Sequence, residues 1–163
     1  MPVVSNTSPI SNLAIIERLD LLRKCFTCIW IPPAVEEELA RLPNLAARAT
    51  VQNALRQGWI VSQPVHNHVT KRLLSADLDR GEAEAIALAL DVSADWILLD
   101  ETDGRKAAAR AGLRVAGILG VLLRAKQENE IRLLKPELEA LRSRARFFVG
   151  TRLEAEVLRL AGE

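Results

Sequence analysis

Trp96-Ile97-Leu98-Leu99 is an unbroken apolar run closed by an acid on each side, Asp95 and Asp100. A strand with one face in water alternates polar and apolar residues. A run without alternation suits a strand covered on both faces, as in a parallel sheet. Val3-Val4-Ser5, Phe26 to Ile31, Trp59-Ile60-Val61 and Leu113 to Ala116 have the same short apolar character. These five segments predict five strands, and helical patterns lie between them. Ser8-Pro9 marks a helix start, and Ile10, Leu13, Ala14, Leu21 and Leu22 follow at helical spacing, with a break near Arg18-Leu19-Asp20. Pro32-Pro33 opens a second helical region with Val35, Leu39 and Leu42 on one face. Pro43 interrupts it, and Leu45 to Gln57 continues to a cap at Gly58. Helices are further expected over His66–Leu78, Glu82–Leu90, Thr102–Ala111, Gly117–Gln127, Pro136–Ser143 and Arg152–Leu160. Strands alternating with helices argue for βαβ units, and hence an α/β fold.

The chain has 163 residues, the size of one domain. It carries no internal repeat, low-complexity segment or linker. Residues 1–163 are therefore expected to form a single domain, with the helices from about 135 to 163 packing on it. Aromatics make up only 4%, so the core must be built from Leu, Ile, Val and Ala. No apolar run reaches the roughly 18 residues of a membrane span. The N-terminus lacks a basic segment followed by a long apolar one, so it does not read as a secretory signal. A cytoplasmic location is the expectation.

The net charge of +1 hides an asymmetry. Residues 1–104 hold 9 basic and 14 acidic residues, a net of −5, and residues 105–163 hold 13 and 7, a net of +6. An acidic first part beside a basic second part suits a metal site flanked by a surface for a polyanion, though an ordinary solvated surface gives the same count.

Ligands of open α/β sheets bind beyond the carboxyl ends of the strands. Ser5, Asn6, Thr7 and Ser8 follow the first strand there, and Asp100, Glu101, Thr102 and Asp103 follow the fourth. Asp100 sits at the rim of a rigid strand, and Asp103 can turn back from the next helix. Glu82 and Glu84 open another helix about 200° apart, so one of them faces the cleft more easily, with Glu82 favoured. Of Glu36, Glu37 and Glu38, Glu38 follows the apolar Val35 by three residues and is the expected inward member. Carboxylates converging without His or Cys suit hard cations, Mg²⁺ or Mn²⁺, which lower the pKa of water and neutralise charge on phosphate. Other chemistries fit poorly. Cys25 and Cys28 have C-x-x-C spacing but no second pair to complete a zinc site, and are expected as small core hydrophobes. His66 and His68 flank Asn67 in a surface segment, and no Ser occupies a nucleophile elbow. No Gly-rich phosphate loop or dinucleotide fingerprint occurs. A phosphoacceptor receiver domain would need paired acids after the first strand and a Lys after the last, and neither is present.

Four segments in order resemble the motifs of PIN domains. They are Val3 to Ile10, Ile31-Pro32-Pro33-Ala34-Val35 through Glu38-Leu39, Gly81 to Ile86, and Leu98-Leu99-Asp100 through Gly104-Arg105-Lys106-Ala107. With Gly117 to Lys126, the chain is similar to a PIN-like subfamily of small prokaryotic proteins related to VapC-type toxins. The resemblance implies a three-layer α/β/α sandwich around a central, mostly parallel five-stranded sheet. It implies Mg²⁺- or Mn²⁺-dependent endoribonuclease activity, an RNA substrate, a cognate antitoxin and a homodimer, with Leu153, Val157, Leu158 and Leu160 available for packing. Carried over by position, the candidate metal ligands are Asn6, Glu38, Glu82 (or Glu84), Asp100 and Asp103. The candidate catalytic acids are Asp100, Asp103, Glu82 and Glu38. Thr7 or Ser8 would orient a ligand or water, and Arg105, Lys106 and Arg110 would meet RNA phosphates. Most PIN nucleases carry Asp where this chain has Asn6, which leaves a catalytically weak or inactive module binding RNA or protein as the alternative.

Overall fold

The computed structural model describes residues 2–163. In chain order the elements are β1 (Val3–Ser5), α1 (Thr7–Ile15), α2 (Asp20–Phe26), β2 (Ile29–Ile31), α3 (Pro33–Ala40), α4 (Leu45–Gln57), β3 (Ile60–Ser62), α5 (His68–Leu74), α6 (Arg80–Asp91), β4 (Trp96–Leu98), α7 (Thr102–Arg110), β5 (Val115–Ala116), α8 (Ile118–Gln127), α9 (Lys135–Arg144) and α10 (Thr151–Leu160). The five strands form one sheet in the order β3-β2-β1-β4-β5, and every pairing is parallel. The expected α/β/α sandwich is therefore present.

The sheet divides the core by strand alternation. Val3, Ile29, Ile31 and Leu98 face one cluster, with Ile10, Leu13, Leu22, Val51, Ile118 and Leu122 from α1, α2, α4 and α8. Val4, Ile97 and Leu99 face the other, built mainly on Ala85, Ile86, Leu88 and Ala89 of α6. Helix α6 is buried along almost its whole length, which explains why its sequence is apolar nearly all round. The core is aliphatic, as the composition requires.

Most boundaries shift by one or two residues, and two differ from the sequence expectation by more. Phe26 belongs to α2 rather than to the second strand, because Leu21, Leu22 and Cys25 form a buried helical face that extends to it. Thr27 then takes φ +67°, which ends the helix, and β2 begins only at Ile29. The helix expected over His66–Leu78 shrinks to His68–Leu74. The Asp91 carboxylate accepts from the backbone N–H of His66 at 2.6 Å and Asn67 at 3.1 Å, and the Asn67 side chain then caps the helix by accepting from Thr70 N–H at 3.0 Å. Both cysteines are free. Cys25 is buried and its thiol is pushed up to about 11, chiefly by desolvation, so it is an inert core residue. Among the described residues, no helix is long and apolar enough to cross a membrane.

Candidate active site

Parallel strands deliver their following segments to one rim of the sheet, and the site is built there. Asn6 directly follows β1, fixed by its backbone N–H to the Leu98 carbonyl of β4 at 3.0 Å. It is the N-cap of α1, a position where Asn ordinarily accepts from the first helical N–H groups. Here its side chain makes no such bond. Its Oδ1 is buried and has no hydrogen-bond partner among the described residues, and the residue is only 5% exposed. Leaving a buried acceptor unmatched costs about 1–3 kcal/mol. Ser8, read with Pro9 as the helix start, lies inside the first turn instead, and Pro9 falls where the helix leaves N–H groups unpaired anyway.

The first turn of α1 reaches acids on both sides of Asn6. Thr7 Oγ1 donates to Glu38 Oε2, which comes from α3. Ser8 Oγ donates to Asp100 Oδ2 at 3.0 Å, and the other oxygen, Asp100 Oδ1, accepts the Ile118 N–H at 2.8 Å. Asp100 thereby caps α8 and is held at both oxygens. Glycines keep the space between these groups open. A Cβ on Gly81 would stand 2.7 Å from Glu38 Oε1 and 3.2 Å from Asn6 Oδ1. A Cβ on Gly117 would stand 2.8 Å from Asp100 Oδ1, and one on Gly104 would stand 3.0 Å from Glu82 Oε1.

Glu82 and Glu84 have separate fates. Glu84, 3% exposed, points at α3: its Oε2 accepts the Ala34 N–H at 3.1 Å, and Lys71 and Arg80 lie 3.3 and 3.5 Å away. Its charge is matched. Glu82 points toward the start of α7 and forms a capping box with Asp79. Glu82 N–H donates to Asp79 Oδ1 at 2.8 Å, and Asp79 N–H to Glu82 Oε2 at 3.3 Å. Among the described residues, no cation pairs with Glu82. Burial is the main cause that raises its pKa, and the charges of Asp79, Glu101 and Asp103 add to it. Burial likewise raises Asp100, against the opposing effect of Ile118 N–H, Ser8 and Arg105. Glu101 is raised by burial and then by Asp100, Asp79 and Glu38. Asp103 is exposed in the first turn of α7. Asp79 and Glu101 were not selected from sequence. The Asp-x-x-Glu spacing of Asp79 and Glu82 was the available signal for the first.

Among the described residues, no three His, Cys, Asp or Glu side chains are gathered as a metal-binding group. The buried oxygen left without a partner is instead an amide. An orphaned, buried Asn6 Oδ1 facing Glu38 Oε1 across a space that one Cβ would fill is an arrangement that fits a small hard cation. The basic candidates divide. Arg105 Nη1 donates to the Leu99 carbonyl at 2.8 Å, so this arginine braces the end of β4. Lys106 and Arg110 are exposed on α7 and line, with Asp77 and Asp103, a polar depression of about 440 Å³.

A family model described as a PIN domain matches residues 2–163. No curated protein matches the chain.

Proposed function

This chain belongs to the PIN domain family, and from that premise we propose that it is a divalent-metal-dependent endoribonuclease, acting in the cytoplasm as the toxin of a toxin–antitoxin pair. PIN domains are a nuclease-type fold and generally use divalent metals. The observation that carries the reading is the buried, unpartnered Asn6 Oδ1 facing Glu38 at the strand rim. Asn6, Glu38 and Asp100 would hold Mg²⁺ or Mn²⁺, with Glu82 and Asp103 closing the site from α6 and α7. When bound, the ion lowers the pKa of water and neutralises charge on the phosphate.

The rest is done by the chain's own groups. Ser8 O–H and Ile118 N–H fix Asp100, and Thr7 O–H fixes Glu38, so neither carboxylate must reorganise during the reaction. Glu82, whose proton affinity is raised by burial, is the group suited to take a proton from attacking water. Lys106 and Arg110 meet the phosphates of an RNA strand. A cognate antitoxin and a second copy of the chain complete the assembly in this reading. Cleavage of single-stranded RNA in Mn²⁺ is expected to vanish with chelator and with Asp100→Asn. Cleavage indifferent to both would reject the assignment.

Asn6 also favours a second reading, a PIN module that binds RNA or protein without cutting. Its amide brings no charge to the site. Calorimetry separates the two: no heat on Mn²⁺ addition, together with retained RNA binding, supports the inactive module.

A further inference from the structure

We propose that the apolar groove beside the acids is a pocket for a nucleoside of single-stranded RNA, adjoining the scissile phosphate. The proposal rests on the nuclease reading above. The groove has a volume of about 620 Å³ and runs between the free edge of β5, α8 and α10. It is continuous with the candidate site, because Asp100, Arg105 and Gly117 line both. Trp96, which opens β4, also lines it, four residues before Asp100 in the chain.

Three features select the occupant. The lining is mostly apolar and includes the rings of Trp96 and Phe147, which suits a flat base. Its cations are Arg105 and Arg124, and its one acid among the described residues is Asp100, which belongs to the site. Arg114, outside that lining, stacks on the Trp96 ring at 4.7 Å from its centre. A polyanion carrying planar apolar units matches that lining, and RNA is such a polymer. Finally, Asp100 lines the groove, so a strand whose phosphate lies against Asp100 can place the neighbouring nucleoside at its mouth.

Gly120 makes the idea testable. It is exposed on α8, and a Cβ there would meet only Ala116 Cβ, at an ordinary 3.5 Å. Gly120→Met therefore fills the groove without a backbone clash, and it raises helix propensity. Leu153, 48% exposed on α10, forms a wall, and Leu153→Glu opposes a phosphate-bearing strand. Fluorescence anisotropy in chelator would compare a labelled single-stranded RNA with an abasic ribose-phosphate of equal length. Wild type is expected to bind the base-bearing strand about tenfold more tightly. Gly120→Met and Leu153→Glu should erase that difference, and Gly120→Ala should keep it. Equal affinity for the abasic strand, or a preference indifferent to both blocking variants, overturns the pocket and leaves the groove to a protein partner. Cleavage in Mn²⁺ is read separately. Groove-dependent binding without cleavage supports the pocket and removes the nuclease reading, whereas cleavage with no groove dependence does the reverse.

Discussion

Asn6 concentrates the chemistry of this molecule in one side chain. The residue at this position has an N-cap to fill and leaves it unfilled, directing Oδ1 to the space beside Gly81 and Glu38. An aspartate would place a full charge there. Asn6→Asp is therefore expected to tighten Mn²⁺ binding about tenfold, the effect of one modest charge interaction. Titration calorimetry measures it, and unchanged affinity would show that Oδ1 does not meet the ion. Gly81→Ala tests the same space from the opposite wall. Its Cβ would lie 2.7 Å from Glu38 Oε1, too close to stand, so Mn²⁺ affinity should fall about tenfold or more while the melting temperature barely moves. The sequence pointed to Asn6 and Asp100 because each follows a strand, and to Glu38 because it lies three residues after Val35 on the helix that follows one. It did not reveal the roles of Gly81, Gly104 and Gly117. A glycine that leaves room has no side chain to signal it, and the room exists only once three distant elements are packed.

Among the elements, α6 is the one whose two acids the sequence could not separate by periodicity alone. Both are buried, at 5% and 3% exposure. What separates them is the partner each meets: Asp79 and the start of α7 for Glu82, and the α3 N-terminus with Lys71 and Arg80 for Glu84. Those partners are supplied by tertiary packing. Glu84→Ala should thus cost about 3 kcal/mol, since it strips a buried carboxylate from two cations and an N–H. Glu82→Gln should change stability far less and depress cleavage instead. Urea denaturation and single-turnover kinetics on the two variants test the division, and the reverse pattern would refute it. Strands and helices themselves were legible wherever apolar pattern and Pro or Gly punctuation agreed. Phe26 was misplaced because an aromatic before Ile29-Trp30-Ile31 has strand character, and only the buried faces of Leu22 and Cys25 draw it into α2.

At the scale of the whole molecule, the acids at the rim oppose folding when no cation is bound. Asp100 has an ordinary pKa of 3.8 and Glu82 and Glu101 of 4.5, and burial raises all three. Between the ordinary and the raised values the folded protein holds more protons than the unfolded one, so their contribution to stability declines as pH rises through that window. In chelator, Asp100→Asn should therefore gain on the wild type as pH climbs above the ordinary Asp value of 3.8, and Mn²⁺ should cancel that gain. Thermal melts across the range decide it, and a constant difference would exclude Asp100 as the group responsible. The charge asymmetry between residues 1–104 and 105–163 also acts at this scale. RNA affinity should drop steeply with added salt, and removing Lys106 should lower the slope of log affinity against log salt by about 1. The overall architecture was legible from the alternation of elements, whereas the groove under α10 was not. The apolar face of α10 reads equally well as core, and only Val157 is buried there.

Ser8 and Asp100 touch, yet 92 positions separate them along the chain. β1 lies at the centre of the sheet and pairs on one side with β2 and on the other with β4. During synthesis the first three strands can therefore assemble while the other flank of β1 still waits for its neighbour. Asp100 leaves the ribosome late, and its cap on Ile118 comes later still. Until then the nascent chain holds Asn6 and Glu38 with nothing opposite them. The order of translation itself delays completion of the site, so on the nuclease reading proposed above the growing polypeptide would stay harmless to the message and ribosome that are making it.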